Sequence, residues 1–497
     1  MHNISLVNNL SKFFERNKII LIIFGLFIVA SSYKLFNIPK ILFDEPLYSY
    51  TALNFSELGF FYHDFSLSSG KEFCLYPFIL GILFKLFGPS FELGRLLSLS
   101  FGIGSFLVLT IYCKIFKYPN AITFILLAIF TASNTFFVAF RIIRPESLLI
   151  FGFLLLALFL RLHLEKNQIK LNSYYISFLL GFSLSIVFAT HYMGFIYSIP
   201  IFIYLLFYFI KKRDFTNLKY FCIGLLPISA LLIYNFLSQI NSNVFLKDLA
   251  ILERSKTQLS LENLKYNFSY TFLEQYVMGI KRIYIVMIEI LIIGFGLIKG
   301  KKNNYLLIIN LSTLIFLILG FSSNFSRPYY IIITQLVIIN LSFLFYQNIR
   351  FKKIINFIIL IYVFNLLIGN IYYLITYPSS ISIQQMRIFD NYIDKKFRIG
   401  GFNSCWFINP NLEWIHQNRP YIRADKEYSK FFNEINMPNE KFYWFNHART
   451  SRYYESKNPD FYNLYPFNQR KFSDKRLIHS IKIDSDEKID LWEINPI

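Results

Sequence analysis

Long tracts of this sequence contain no aspartate, glutamate, lysine or arginine. They include residues 96–113, 118–140, 171–210, 220–246, 303–326 and 328–349. A helix needs roughly 20 apolar residues to cross about 30 Å of hydrocarbon, because each residue adds about 1.5 Å, and most of the tracts reach that length. Only 16% of the residues are charged, whereas soluble domains carry roughly 25%. The sequence therefore excludes a soluble enzyme and a nucleic-acid-binding protein.

The apolar segments predict a mainly α-helical, polytopic membrane protein with about eleven transmembrane helices. The spans are placed at about 19–36, 96–113, 119–138, 147–162, 173–189, 194–210, 220–238, 283–298, 305–321, 329–346 and 354–375. Every second connection is short and basic, as is the segment before the first span, so these loops are cytoplasmic by the positive-inside rule. Much of the net charge of +20 is therefore an orientation signal. A cleaved signal peptide ending near Ala30 is the alternative for the first span.

The connections on the opposite, outer side include three long segments, at about 37–95, at 239–282 and from 376 onward. An odd number of crossings places the C-terminal tail outside. The tail is rich in polar residues but keeps many aromatic ones, which predicts a folded domain and not a disordered tail. We expect a transmembrane module at 1–375, whose outer loop 37–95 holds the catalytic acids, and a soluble mixed α/β domain at 376–497.

Two adjacent carboxylates, Asp44 and Glu45, follow the first span directly. An ordinary solvated helix end is one interpretation of such a pair. Apolar and aromatic residues flank these acids, however. A carboxylate held against apolar surroundings has a raised pKa, which suits it to accept a proton near neutral pH. We therefore consider these acids candidates for general-base chemistry at the membrane surface.

The second outer connection is short and contains Arg141, Arg144, Pro145 and Glu146. Pro145 suits the first turn of the fourth span, which places Glu146 at the positive end of that helix. The two arginines are three residues apart, and this spacing predicts a two-pronged clamp for a phosphate. Further polar candidates on the same side are Lys71, His191, Tyr192, Arg327 and Tyr329. Acids and bases from several loops thus gather at one membrane face.

These motifs follow one another in a characteristic order. The order is Asp44-Glu45, Lys71 before Leu75-Tyr76-Pro77, Gly88 before Arg95-Leu96, Arg144-Pro145-Glu146, and Arg327 with Tyr329. It resembles the integral-membrane glycosyltransferases of the GT-C fold, in particular the family 39 protein mannosyltransferases, the lipid A aminoarabinose transferases and the lipopolysaccharide-core sugar transferases. The resemblance covers about residues 15–345 and is densest from 40 to 165. The C-terminal domain carries no matching motif.

The resemblance implies an enzyme that moves a sugar from a polyprenyl-phosphate donor to an outer-face acceptor with inversion at the anomeric carbon. The acceptor would be a lipid, a glycan or a protein hydroxyl, and the protein would lie in a bacterial inner or cell membrane. Asp44 would act as general base beside Glu45, and Glu146 matches a second acidic position where aspartate is more usual. A divalent metal could assist, but Asp44-Glu45 is not a DxD arrangement, and we predict no metal and no cofactor.

The resemblance also implies a set of residues that bind the donor. Lys71, Arg141 and Arg144 match positions that hold the lipid phosphate, Arg327 matches a basic residue facing the donor, and His191 matches a position where lysine or histidine often occurs. Tyr192 and Tyr329 complete the predicted binding residues. Cations are expected at such a site because they stabilise the growing charge of the leaving phosphate.

Two other functions compete with this interpretation. A transporter usually binds its substrate near the bilayer midplane, whereas the ionisable groups here cluster at one face, with Glu289 inside the eighth span as the exception. A polysaccharide polymerase or ligase usually carries its key arginines in a large later loop, and the connection 239–282 does contain Arg254 and Lys256. The four cysteines form no CxxC pair, which argues against metal or redox chemistry through cysteine.

Overall fold

A computed structural model of the chain shows a largely helical protein that ends in a small β-sheet. The structure describes residues 2–37, 45–59, 75–165, 172–240, 261–262, 265, 283–300, 303–321, 337–341, 352–376, 383–397, 399–401, 408–409, 441–447, 474–484 and 487–495.

The helices and strands follow in a simple order. The helices are α1 (His2–Ser32), α2 (Glu45–Leu58), α3 (Leu75–Phe87), α4 (Phe91–Ile115), α5 (Asn120–Ala132), α6 (Asn134–Ala139), α7 (Glu146–Leu164), α8 (Ser173–Thr190), α9 (Tyr192–Lys212), α10 (Phe215–Ile240), α11 (Ile283–Gly300), α12 (Asn304–Phe321), α13 (Lys352–Thr376) and α14 (Ile383–Arg387), followed by a 3-10 helix, Ile388–Tyr392. The strands are β1 (Ile399–Gly401), β2 (Phe442–His447), β3 (Asp474–Asp484) and β4 (Glu487–Asn495).

Six described helices are long and apolar enough to cross a membrane, and the chain is an integral membrane protein. They are Phe91–Ile115, Glu146–Leu164, Ser173–Thr190, Gly194–Lys212, Phe215–Tyr234 and Phe357–Ile375. Four further predicted spans fall on shorter apolar helices, within α1, α5, α11 and α12. The predicted span 329–346 lies mostly outside the described residues, of which 337–341 are helical. The count of eleven therefore stays a prediction.

The structure corrects the third predicted span, 119–138, which is not one helix. α5 ends at Ala132 and α6 begins at Asn134, because Ser133 leaves the helical conformation with φ −58 and ψ 117. A break in a membrane helix exposes backbone groups that need partners. Asn370 of α13 donates a hydrogen bond to the carbonyl of Ala132 at 2.9 Å, and Asn134 donates to the side chain of Asn370. The break is thus supported by side chains distant in sequence.

The backbones of α8 and α10 lie in close contact. A Cβ atom added at Gly181 would lie 2.1 Å from the carbonyl oxygen of Phe221, and one added at Gly224 would lie 2.1 Å from that of Phe178. Membrane helices associate through van der Waals packing and approach closely where small residues meet. These two glycines therefore allow the helices to pack.

Gly181→Ala is expected to lower the thermal stability of the purified protein in detergent, by about 1–3 kcal/mol, because overpacking forces neighbouring backbone to shift. The matched control is Gly294→Ala in α11, where an added Cβ meets nothing within 4 Å. Alanine is the better helix former, so the control should keep or slightly raise the melting temperature. Equal melting temperatures of Gly181→Ala and Gly294→Ala would contradict the close contact proposed between α8 and α10.

Arg161 is buried near the C-terminal end of α7, inside the predicted span 147–162. Its Nη1 atom donates to the hydroxyls of Tyr112 at 2.9 Å and Tyr118 at 2.6 Å, and its Nε atom donates to Glu165 at 2.9 Å. The guanidinium also lies 3.8 Å from the ring centroid of Phe116. The guanidinium of Arg161 therefore links α7 to α4 through hydrogen bonds inside the protein.

The chain forms two compact units. The first contains Met1–Leu35, Ser68–Leu80 and Arg95–Thr376, and the second contains Phe36–Leu67, Gly81–Gly94 and Tyr377–Ile497. The predicted division into 1–375 and 376–497 stays a prediction, because the second unit also includes two segments of the predicted outer loop 37–95.

The four described strands form a sheet in the order β1-β2-β4-β3. β1 pairs parallel with β2, and the other two pairings are antiparallel. Tyr443 and Phe445 on one face of β2 pack with Phe389 and Leu491 in a hydrophobic core. The aromatic side chains of Tyr443 and Phe445 therefore contribute to the core of this sheet.

Candidate active site

The charged residues of the second predicted outer connection lie in a tight turn between α6 and α7, which we call the α6–α7 turn (residues 140–146). The amide of Arg141 donates to the carbonyl of Val138 at 3.0 Å, and the amide of Arg144 donates to Ile142 at 3.0 Å. α7 then begins at Glu146, preceded by Pro145 with φ −66. Proline suits this position, because the first amides of a helix have no intrahelical partner. The turn thus carries three ionisable residues, Arg141, Arg144 and Glu146.

Buried polar side chains support the α6–α7 turn from α3 and α4. The hydroxyl of Ser98 donates to the carbonyl of Ile142 at 2.6 Å, and Tyr76 is hydrogen-bonded to Ser98 at 2.8 Å. Neither residue was predicted to belong to the site. Tyr76 lies in the motif Leu75-Tyr76-Pro77. A tyrosine among apolar residues was the sequence signal that could have indicated a buried hydrogen bond at this position.

Arg144 and Glu146 form a short ion pair. Nη2 of Arg144 lies 2.7 Å from Oε1 of Glu146, and their side chains are 17% and 3% exposed. Charge-assisted contacts of this length are strong and directional. The buried carboxylate therefore fixes the orientation of an arginine that keeps partial access to its surroundings.

His191 lies close to this ion pair. It is the single residue between α8 and α9, in the gap between the predicted spans 173–189 and 194–210, and it is buried. Burial lowers the pKa of His191 to about 3, and the positive charge of Arg144 contributes. His191 is therefore neutral at physiological pH. The structure brings Arg144, Glu146 and His191 together; Tyr192 begins α9, and its side chain lies outside the described residues.

The lowered pKa of His191 predicts acid sensitivity. As the pH decreases from 7.5 to 5, the unfolded chain takes up a proton at His191, whereas the folded chain does not. The free energy of unfolding therefore decreases as the pH decreases. With an unfolded pKa of about 6.5, His191 accounts for about 2 kcal/mol of this loss. His191→Gln should therefore lose less stability than the wild type over that interval, measured by denaturant unfolding in detergent. Identical pH dependence of the two proteins would show that His191 is not held neutral.

Arg141 has a different environment from Arg144. Nη1 of Arg141 donates to the carbonyls of Ala30 at 3.1 Å and Ser31 at 2.8 Å, and Nη2 donates to Tyr33 at 2.5 Å. The structure therefore does not form the predicted two-pronged clamp, because Arg141 and Arg144 bind different partners. Side chains three residues apart share one face in a helix, but these residues lie in a turn and point to different partners.

The remaining predicted site residues are divided between the second unit and the undescribed segments. Glu45 is the first residue of α2, belongs to the second unit and is buried. Its backbone carbonyl accepts a hydrogen bond from Ser49 at 2.9 Å. Asp44, Lys71, Arg327 and Tyr329 lie outside the described residues. Within the described ranges, no group of three or more histidine, cysteine, aspartate or glutamate side chains is placed to hold a metal ion.

Glu289, the acid within a predicted span, forms a contact between helices. The hydroxyl of Tyr362 on α13 donates to Oε1 of Glu289 on α11 at 2.7 Å, and both residues are buried. Polar contacts of this kind join helices within membranes. This observation favours a structural role for Glu289.

The chain has the fold of the GT-C membrane glycosyltransferases, as its likeness to solved structures shows. It is similar to ArnT from Cupriavidus metallidurans bound to undecaprenyl phosphate, with a TM-score of 0.62 and 10% identity over 96% of this chain and 98% of that chain. The apo state of the same ArnT gives a TM-score of 0.57 at 9% identity, covering 95% and 97% of the two chains. Archaeal oligosaccharyltransferase AglB from Archaeoglobus fulgidus, in complex with an inhibitory peptide and a dolichol-phosphate, gives 0.53 at 10% identity, covering 89% and 71%.

Comparisons of sequence found no match, whereas comparisons of structure found the GT-C fold. No family model matches the chain, and no curated protein matches it significantly. With identities near 10% to the solved structures, the likeness lies in the fold. The GT-C resemblance expected from the order of the motifs is thereby confirmed.

Proposed function

We propose that the protein is a glycosyltransferase that moves a sugar from a polyprenyl-phosphate donor to an acceptor on the extracytoplasmic face of the membrane. The observation that carries the proposal is the likeness, over nearly the full length of both chains, to an ArnT structure that contains undecaprenyl phosphate. The AglB structure contains a dolichol-phosphate. Two proteins of this fold thus hold a polyprenyl-type phosphate.

The chemistry of the α6–α7 turn supports this function. Negative charge grows on the phosphate as the bond to the sugar breaks, and cations held in place beforehand stabilise that charge. Arg144 is such a cation, because the buried Glu146 orients it while its side chain keeps 17% exposure. We assign Arg144 to the leaving phosphate, with Lys71 and Arg327 as further cations. Since these side chains supply positive charge, the proposed reaction uses no metal.

The proposed reaction is a single displacement with inversion. Asp44 takes the proton of the acceptor hydroxyl, and the acceptor oxygen forms a bond to the anomeric carbon. The bond from that carbon to the phosphate oxygen breaks, and its electron pair leaves with the polyprenyl phosphate. The products are the glycosylated acceptor and the free lipid phosphate. A displacement of this kind places the base and the leaving group on opposite sides of the sugar.

The proposed topology follows from the charge pattern. Eleven spans place the C-terminal domain on the extracytoplasmic side of a bacterial cell membrane, where the acceptor is a lipid, a glycan or a protein hydroxyl. His191, Tyr192 and Tyr329 are assigned to the walls of the binding site, and Glu45 lies beside the base in sequence.

The test is a comparison of cells with and without the protein by mass spectrometry of membrane lipids and surface glycans. Loss of a transferase should cause a polyprenyl-phosphate sugar to accumulate and one residue to disappear from a surface glycan, lipid or protein. Together these two changes would name the donor and the acceptor. Unchanged profiles in both fractions would contradict the proposed function.

A further inference from the structure

A series of hydrogen bonds leads from α3 through α4 to the backbone of Arg144. The hydroxyl of Ser98 donates to the carbonyl of Ile142 at 2.6 Å, and Tyr76 is hydrogen-bonded to Ser98 at 2.8 Å. The same carbonyl accepts the amide of Arg144 at 3.0 Å. A carbonyl oxygen has two lone pairs and can accept both donors. One oxygen atom therefore links the two hydroxyls to the backbone of Arg144.

The direction of each bond follows from the groups involved. The carbonyl of Ile142 can only accept, so the one hydroxyl hydrogen of Ser98 is used there and the hydroxyl of Tyr76 donates to Ser98. Both side chains are 0% exposed, so little water competes for these bonds. Hydrogen bonds in series also polarise one another in a buried environment. The four residues all belong to the first unit.

Local hydrogen bonds of the α6–α7 turn are less favourable than the bond from Ser98. The bond from the Arg144 amide to Ile142 closes a three-residue turn, and so small a ring bends the bond away from the linear geometry that hydrogen bonds prefer. The carbonyl of Arg144 accepts from the hydroxyl of Ser147 at 3.3 Å, which is long for a hydroxyl donor. The bond from Ser98, at 2.6 Å, is therefore well placed to fix this backbone from outside the turn.

The backbone of Arg144 determines where its guanidinium lies. The charged group is at the end of a long side chain, so a small rotation of the backbone displaces it by a larger distance. Its ion pair with Glu146, at 2.7 Å, also depends on the backbone, because both residues belong to the α6–α7 turn. A change in the carbonyl of Ile142 is thus transmitted to the cation that we assign to the leaving phosphate.

We infer that Tyr76 and Ser98 are positioning residues for the lipid phosphate, because their hydroxyls hold the backbone of Arg144 and so fix the orientation of its guanidinium. The identity of the ligand rests on the proposed function. The effect on the α6–α7 turn rests on the hydrogen bonds of the structure.

The effect on the turn is tested by hydrogen–deuterium exchange on the full-length protein in detergent. Ser98→Ala removes the donor to Ile142, so amide exchange over residues 140–147 should rise about threefold to tenfold, the range that one hydrogen bond contributes. Tyr76→Phe should cause a smaller rise over the same residues, because Ser98 still donates to Ile142. Unchanged exchange in Ser98→Ala would overturn the inference, and unchanged exchange in Tyr76→Phe would overturn the role of Tyr76.

The matched control is Ser105→Ala on the same helix. Ser105 is also 0% exposed, but its hydroxyl donates to the carbonyl of Phe101 within α4 at 2.7 Å. Exchange over residues 140–147 should therefore stay at the wild-type rate in this variant. A rise equal to that of Ser98→Ala would show that the turn responds to any lost hydroxyl of α4, which also overturns the inference.

A second pair of variants separates the hydroxyl of Ser98 from its packing. Threonine and valine have nearly the same shape, but only threonine carries a hydroxyl. Ser98→Thr should keep exchange over residues 140–147 closer to the wild-type rate than Ser98→Val, whatever the added methyl groups cost. Equal rises in the two variants would show that the hydroxyl does not hold the turn.

The link to the phosphate is tested with undecaprenyl phosphate as the binding probe. Ser98→Ala should raise the Kd about threefold to tenfold, since residues of one hydrogen-bond network are coupled to about this extent. Combined with Arg144→Gln, Ser98→Ala should change the Kd by less than about twofold, because residues that act through one another are not additive. If Ser98 affected binding only through general stability, the two losses would multiply, and the inference would be overturned.

The outcomes separate this inference from the proposed function. If the wild type binds undecaprenyl phosphate and Ser98→Ala binds it equally well, the proposed function stands and the positioning role is overturned. If the wild type neither transfers sugar nor binds the probe, the proposed function fails. The exchange experiment then still decides whether Tyr76 and Ser98 hold the α6–α7 turn.

Discussion

Asp44→Asn is expected to reduce sugar transfer by about 100-fold to 10,000-fold, the range that general-base catalysis contributes. Asparagine has nearly the shape of aspartate but cannot accept the proton of the acceptor hydroxyl at neutral pH. The rate is measured with purified protein and a polyprenyl-phosphate sugar. Size-exclusion behaviour and thermal melting establish that the variant is folded.

The matched control for this variant is Glu57→Gln in α2, which lies in the same predicted outer loop. Glu57 is exposed, so replacing its charge should leave transfer within about twofold of the wild type, as is usual for surface substitutions. Near-normal transfer by Asp44→Asn would remove Asp44 from the role of general base. A loss of equal size in the control would show that the loop responds to any change of charge.

Much of the fold could be predicted because a membrane imposes a simple rule on the sequence. Charged residues are costly in hydrocarbon and basic residues are retained on the cytoplasmic side, so the apolar segments of the sequence place α4, α7, α8, α9, α10 and α13 directly. The turn at His191 was predictable for the same reason, because the tract 171–210 is too long for one helix. The fold likeness at 10% identity to ArnT fits this rule, since many different apolar residues satisfy it.

The break at Ser133 could not be predicted in this way. The tract 118–140 has neither a charge nor a proline in its centre, so it satisfies the rule for one span. What supports the break is Asn370, which is more than 200 positions away in sequence and donates to the carbonyl of Ala132. Hydropathy and spacing carry no information about such a tertiary hydrogen bond.

The buried arginines show a second limit. Arg141 occurs where the charge pattern predicts a ligand site, and Arg161 occurs at the end of a predicted span, yet each is buried with protein partners. A sequence gives the number of positive charges near a membrane surface, but the direction of each side chain depends on the backbone. In the α6–α7 turn that backbone sends Arg144 toward Glu146 and Arg141 toward α1.

Arg144→Gln is expected to weaken undecaprenyl phosphate binding by about 10-fold to 100-fold, because a hydrogen bond to a charged group contributes about 1.5–3 kcal/mol. Turnover should also fall, since the growing charge on the leaving phosphate loses a cation. Both quantities are measured on the purified protein, the first as a Kd and the second as kcat. Unchanged values would remove Arg144 from the phosphate site.

Adding Glu146→Gln to the Arg144→Gln variant tests the role of Glu146. Glu146→Gln alone should lower transfer, because Arg144 loses the carboxylate that lies 2.7 Å away and orients it. If orienting Arg144 is its whole function, Arg144→Gln/Glu146→Gln transfers sugar no more slowly than Arg144→Gln, since residues that act as a unit are not additive. If Glu146 also contacts the substrate, the two losses multiply. The double variant therefore distinguishes an acid that acts through an arginine from a second acid of the reaction.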